Sequence, residues 1–398
     1  MSTLREEARR LRSAGRALRE RPEEEIVERL GHLLERWRDP TGPWQAGLVP
    51  ALAGSSGFSE TNVRDGLRLA LGDWNEAALR RLLARELAGR PAERRTGFAL
   101  TSLLCGGTIP MPTLHQILLS LLVRSPVLVK PASRDPVTAR WVQRSLAEID
   151  PVLGDCVAVV DVDHEDEEQL RALLGSECVV CSGADATIRS IASQIGPEQR
   201  FVAYGHRFSI AVTSAERLDR TEADRVALDV SLWDQLGCMS PIEVYVVGEQ
   251  STSAGAFAES LAAALERREE RAPLGEIDLA SASLIRHERD SARMRVAAGG
   301  QGALYASEGL RWTVVEEPDN SPRPAPLHRF VRVRTVPTPG ALQRALAPLA
   351  HQLSTAGVGG GLAIPALGEA RQCALGRMQT PPLDAPHDGQ PLLLPILP

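Results

Sequence analysis

Three short segments hold residue types that could do chemistry. Gln235-Leu236-Gly237-Cys238-Met239-Ser240-Pro241 sets a cysteine among small residues on an expected loop, and a thiolate nucleophile needs that kind of access. Val127-Leu128-Val129-Lys130 reads as a buried strand that runs out into Pro131-Ala132-Ser133. Open α/β sheets bind ligands beyond the carboxyl ends of their strands, so a lysine there can reach a ribose or a phosphate. Of the 45 lysines and arginines, Lys130 is the only lysine. It marks a place where a compact ammonium fits and a planar guanidinium does not. In the third segment, Cys178-Val179-Val180-Cys181 is a strand that passes through Ser182-Gly183-Ala184 into a helix from Asp185. A small turn at a helix N-terminus leaves backbone N–H groups for a pyrophosphate.

The other cysteines are weaker nucleophile candidates. Cys178 and Cys181 have the spacing of a redox pair, but on a strand positions i and i+3 point to opposite faces. Cys105 adjoins a Gly-Gly turn, and Cys373 reads as core packing. The eight histidines form no metal-type cluster with cysteine, so no metal is expected. The acidic run 161–168 reads as a strand end followed by a solvated helix start.

These segments need a framework. Strands alternating with helices of about ten residues over 97–214 imply βαβ units and a parallel sheet. Residues 4–38 and 62–90 read as charged amphipathic helices, with a Gly/Ser/Pro-rich loop over 40–59. The pattern restarts around Cys238, with helix 224–232, strand 243–247 and helix 256–268. Residues 316–327 are Pro-rich and read as loop, and 330–336 alternates apolar with charged residues like a half-exposed strand. The division expected is 1–95 as a helical region of a cofactor domain, 96–214 as the dinucleotide-binding domain, 215–366 as a catalytic domain and 367–398 as a tail.

The chain has 398 residues, a net charge of −6 and 43% hydrophobic residues. Those are globular proportions. The acidic balance speaks against neutralising a nucleic-acid backbone, and no apolar stretch is long enough for a membrane span. The charged N-terminus shows no apolar leader segment, and six scattered cysteines fit a reducing compartment, so a cytoplasmic location is expected.

The order of these motifs resembles the aldehyde dehydrogenase superfamily. More particularly, it resembles the LuxC-like acyl-CoA reductases, the fatty acid reductases of bacterial luminescence. The resemblance rests on Gly107-Thr108-Ile109-Pro110, on Lys130 with Asp135-Pro136-Val137-Thr138-Ala139, and on Trp233-Asp234-Gln235 ahead of Cys238. It also rests on Gln352-Leu353-Ser354-Thr355-Ala356-Gly357 and on a tail with Arg371, Gly376 and His387-Asp388-Gly389. It covers residue 60 to the C-terminus. The fold it implies is an α/β aldehyde dehydrogenase-like fold, with two Rossmann-like three-layer domains and an interdomain active-site cleft.

The resemblance also implies an activity. Cys238 attacks an acyl-CoA or acyl-carrier thioester, and a nicotinamide hydride reduces the acyl-enzyme to an aldehyde. Hydrolytic relatives carry a glutamate where this chain has Ala203, so water lacks its general base here. Thr108 stands where the superfamily places an oxyanion-binding Asn. The cofactor residues implied are Lys130, Ser133, Arg134, Ser182, Gly183 and Ala184. Where NAD-using relatives carry a glutamate this chain has Ser133, followed by Arg134, and Lys130 with Arg134 can pair with a 2′-phosphate, so NADPH is expected ahead of NADH. The partners expected are the thioester substrate and either a second copy of the chain or an acyl-activating protein. The competing readings are oxidation of free aldehydes and a cofactor-free acyl-transfer or scaffold subunit.

Overall fold

A computed structural model describes residues 3–163, 166–248 and 252–398, the side chains of residues 252 and 253 excepted. His164 and Glu165 of the acidic run therefore lie outside the described residues. The chain divides into two units. One comprises Met1–Ser56, Ala70–His206 and Pro382–Pro398, and the other Gly57–Leu69 and Arg207–Pro381. The sequence-based boundaries differ from this division in three places: 57–69 and 207–214 join the second unit, and 382–398 returns to the first.

The first unit is built on a five-stranded sheet of β1 (Thr101–Leu104), β2 (Val127–Lys130), β3 (Val157–Val159), β4 (Cys178–Ser182) and β5 (Arg200–Tyr204). The spatial order is β3-β2-β1-β4-β5 and every pairing is parallel. Burial on both faces explains why β2 and β4 read as continuous apolar runs. Helix Leu4–Glu20 starts from a capping box between Thr3 and Glu6 and buries Ala8, Leu11 and Leu18. Ala8 and Leu11 pack with Leu104, Leu128 and Val179 on one sheet face. Helices Pro110–Leu122 and Thr138–Ile149 cover the other face.

The loop expected over 40–59 is corrected. Pro43–Ser56 is a helix, because Trp44, Leu48 and Leu52 recur every four residues and are buried. Their packing outweighs Pro50 inside the helix and the neighbouring glycines.

The tail 382–398 packs onto helix Pro110–Leu122, where His115 Nε2 donates to the Leu383 carbonyl at 2.9 Å. Asp388-Gly389, both at positive φ (50° and 77°), form a two-residue turn closed by paired His387–Gln390 backbone bonds. Burial, with His387 nearby, holds the His115 pKa down to about 4. The unfolded chain takes that proton first, near pH 6.5. Stability from this group is therefore complete above pH 6.5 and is lost as the pH falls towards 4. The expected loss is roughly 3 kcal/mol. Thermal melts from pH 7 to 4 should show a shallower fall for His115→Gln than for the wild type, and equal slopes would refute this.

The second unit carries a seven-stranded sheet of β6 (Phe208–Ser214), β7 (Pro241–Val247), β8 (Ala303–Ala306), β9 (Thr313–Glu316), β10 (Phe330–Val336), β11 (Leu353–Val358) and β12 (Arg371–Ala374). The order is β12-β11-β6-β7-β10-β9-β8, parallel except for β8 against β9. Alternate residues face two cores. Ala211, Val244 and Val333 meet Val226, Phe257 and Leu261 on one side. Ile210, Val212 and Tyr245 meet Leu342 and Leu346 on the other.

Strand β10 is not half-exposed as expected. It lies between β7 and β9, and its charged residues are buried in ion pairs. Arg334 meets Glu243 of β7 at 2.6 Å, and Arg332 meets Glu288 at 2.8 Å and also Glu317. The charged alternation reflects paired charges in the interior, not water.

Candidate active site

In the first unit the strand order reverses between β1 and β4, the switch point where open sheets hold dinucleotides. Strand β1 opens into Cys105-Gly106-Gly107-Thr108 and β4 into Gly183-Ala184. The two turns touch backbone to backbone. A Cβ on Gly106 would collide with the Ser182 carbonyl and lie 3.0 Å from Gly183 Cα. Gly107 takes φ +91° and borders open space. Gln116 Nε2 fixes the Ser182 hydroxyl at 2.8 Å, and Gly183 N–H donates to the Tyr204 carbonyl at 3.1 Å. Helix Asp185–Ala192 begins at Ala184 without a side-chain cap, so its first N–H groups are available to a phosphate. Asp185 turns its carboxylate to His206 N–H at 2.8 Å.

Lys130 ends β2 beside a recess of about 420 Å³, which is also lined by Ala132, Ser133, Asp161, Asp163 and Gln169. Its ammonium has no hydrogen-bond or carboxylate partner among the described residues. Ser133 and the following Arg134 are exposed. Asp135 is buried and accepts from Thr138 N–H at 3.0 Å and its hydroxyl at 2.9 Å, which ties the loop to the first residue of the following helix. Two acids that the sequence around Ser133 does not reveal, Asp161 and Asp163, line the recess from the loop after β3. Asp161 is bound by Arg140 at 2.7 Å.

Thr108 immediately precedes Ile109, which opens helix Pro110–Leu122 with proline in its first turn. The residue is 6% exposed, and its hydroxyl makes no hydrogen bond among the described residues. It therefore has a donor to offer.

The second unit presents Cys238 at the amino end of its sheet, ahead of β7. The open-sheet rule thus picks out Lys130 and the Ser182–Ala184 turn but not the thiol. Among the described residues, Cys238 is the exposed cysteine. Burial pushes Cys105, Cys156 and Cys178 up to about 12, and Cys181 and Cys373 up to about 11, so those thiols stay protonated and inert. The Cys238 carbonyl accepts from Ser209 Oγ at 2.7 Å, and that hydroxyl accepts from Thr355 N–H at 3.1 Å. Ser240 Oγ is held by Gln379, whose amide also donates to the Asp229 carbonyl.

Sequence reasoning singled out Cys238, Lys130 and the Ser182–Ala184 turn, but it missed Ser209, and it missed Asn62 and Arg329, which bond Trp233 N–H and the Asp234 carboxylate just ahead of the thiol. Ser209 left one trace, a hydroxyl inside an otherwise apolar strand. Asn62 left none.

Among the described residues no helix is long and apolar enough to cross a membrane. Solved structures place the fold. Aldehyde dehydrogenase 21 from Physcomitrella patens aligns with a TM-score of 0.71 at 14% identity, over 99% of this chain and 88% of that one. The NADP-dependent glyceraldehyde-3-phosphate dehydrogenase from Bacillus halodurans C-125 aligns at 0.65 and 15%, over 90% and 78%. The fold is that of the aldehyde dehydrogenases. Within that class, the model of the family described as Acyl-CoA reductase (LuxC) matches residues 53–394, and the chain belongs to this family. A long-chain acyl-protein thioester reductase from Aliivibrio fischeri is 25% identical over 240 residues, 58% of this chain and 48% of that protein. The chain spans about half the length of the curated relatives it matches.

Proposed function

We propose that this protein reduces an acyl thioester to the aldehyde through an acyl-enzyme on Cys238. The observation that carries the reading is the exposed thiol on a side-chain-anchored loop, in a chain whose other cysteines are desolvated. The Cys238 thiolate adds to the thioester carbonyl, a new C–S bond forms, and the donor thiol departs with a proton. A bound reduced nicotinamide dinucleotide supplies the hydride. The resulting thiohemiacetal expels Cys238 and releases the aldehyde. The donor is a CoA thioester or a protein-bound thioester, and the name of the Aliivibrio fischeri relative favours the second.

Water is a poor competitor for the acyl-enzyme. Ala203 offers no base at the position where hydrolytic relatives carry a glutamate. Thr108, which stands where the superfamily places its oxyanion-binding Asn, is the residue proposed to donate to the oxyanion. Thr108→Val should lower kcat by about 10²–10³-fold and leave KM for the thioester nearly unchanged. An unaltered kcat removes Thr108 from the site.

The residues around the recess fit a dinucleotide. Lys130 and Ser133 take the adenosine ribose, and Ser182, Gly183 and Ala184 take the pyrophosphate. NADPH is the preferred donor, because the Lys130 charge is not spent on a protein carboxylate while Asp161 is neutralised by Arg140. Arg134, exposed next to Ser133, is proposed to assist. Lys130→Met should raise KM for NADPH about ten- to a hundredfold and affect NADH less. Equal losses for both cofactors would point to the shared ribose and overturn the NADPH preference.

The test of the function is to follow NADPH absorbance with long-chain acyl-CoA, with acylated carrier protein and with free aldehyde plus NADP. Oxidation of NADPH by either thioester supports the proposal. Reduction of NADP by free aldehyde, with no response to thioesters, refutes it.

A further inference from the structure

We propose that Trp233–Gln235 and Leu327–Arg329 form a clamp that sets the position of Cys238, with Arg329, Gln235 and Ser209 as positioning residues. The inference rests on the reading of Cys238 as the nucleophile. Trp233, Asp234 and Gln235 take φ values of 55°, 50° and 64°, and Leu327, His328 and Arg329 take 65°, 54° and 62°. Residues with a side chain visit this region singly, because Cβ crowds the following carbonyl, and they do not do so in runs. Among the described residues these are the two runs of non-glycine left-handed residues; Arg124 and Asp388 are isolated cases.

The two runs precede neighbouring parallel strands, β7 and β10, and are tied to each other. Arg329 reaches Asp234 at 2.6 and 3.2 Å, Glu269 at 2.7 Å and the Ala272 carbonyl at 2.9 Å. The Gln235 amide receives Phe330 N–H at 2.7 Å and donates to the Phe330 and Pro241 carbonyls at 2.8 and 2.9 Å. Asn62 accepts Trp233 N–H at 2.9 Å and donates to Asp234 at 2.7 Å. Trp233 is buried against Gly66, where any Cβ would collide with its ring, and tilts against Phe58.

Starting a strand does not require this geometry. Strands β6, β9 and β11 begin without a non-glycine left-handed residue. A strained backbone persists only where its surroundings over-determine it, and such places cluster at functional sites. Here the strain lies three residues before the thiol. Leu236 N–H returns to the Trp233 carbonyl at 2.9 Å, Ser240 N–H closes on Gly237 at 3.0 Å, and Ser209 holds the Cys238 carbonyl. The left-handed turn thus fixes the direction from which the chain reaches Cys238, and Ser209 fixes the peptide that follows it.

The test is the rate of Cys238 alkylation by iodoacetamide across pH, located by peptide mass spectrometry, alongside kcat and KM for the thioester. Circular dichroism and cofactor affinity serve as controls. Arg329→Lys keeps the charge but loses the fork, and Ser209→Ala removes the hydroxyl. The expected result is a slower alkylation with a displaced pH midpoint, a kcat lower by about ten- to a hundredfold, an unchanged KM and an unchanged dinucleotide affinity. Should Arg329→Lys not fold, Ser209→Ala decides. Folded variants with the wild-type alkylation profile and kcat overturn the clamp, even where the wild type reduces thioesters. A wild type inert towards thioesters whose alkylation still responds to these substitutions overturns the proposed function and leaves the clamp standing.

Discussion

Cys238→Ala is expected to lower thioester reduction by roughly 10⁴-fold or more, since removing a covalent nucleophile leaves only binding and electrostatic assistance. Dinucleotide affinity should stay unchanged, because the residues proposed to hold the cofactor belong to the other unit. No second thiol is placed to substitute. The five remaining cysteines are raised to about 11 or 12 by burial. Stopped-flow consumption of NADPH, with cofactor titration by fluorescence, checks both halves. A variant that keeps more than a few per cent of the wild-type rate would contradict the assignment.

Asp234→Ala should destabilise the second unit by about 3–5 kcal/mol, the usual cost of stripping one partner from a buried ion pair. Arg329 is fully buried and loses its shortest contact, leaving Glu269 and a carbonyl to satisfy it. The Gly275 N–H, which donates to the second Asp234 oxygen at 3.0 Å, loses its acceptor as well. Denaturant unfolding followed by tryptophan fluorescence measures the change, since Trp233 sits in the same turn. A loss below 1 kcal/mol would mean that water or a rearranged Glu269 replaces the carboxylate without cost.

The parts of the site legible in the sequence are those whose chemistry is local. Lys130 follows a run of apolar β-branched residues, and Ser182-Gly183 joins a strand to the next helix, so strand periodicity alone puts both at carboxyl ends. Cys238 stands out by its small neighbours and by the motif around it. Residues that act across long separations leave no such pattern. Asn62 meets Trp233 from 171 positions away, and Ser209 meets Thr355 from 146. Asp161 belongs to the loop after β3, one crossover from Lys130, so the acid that shares its recess could not be read next to Ser133. Periodicity also misled where interior charge imitates exposure. Arg332 and Arg334 give β10 the look of a half-wet strand, yet both are buried against carboxylates. Pro50 and the surrounding glycines disguised a helix that its buried face stabilises.

The most direct test is intact and peptide mass spectrometry of the protein mixed with a long-chain acyl thioester in the absence of dinucleotide. The account predicts one acyl adduct, on Cys238, that is slow to hydrolyse and is discharged as aldehyde when NADPH is added. An adduct on another residue, aldehyde formed without any adduct, or discharge to the free acid would contradict it.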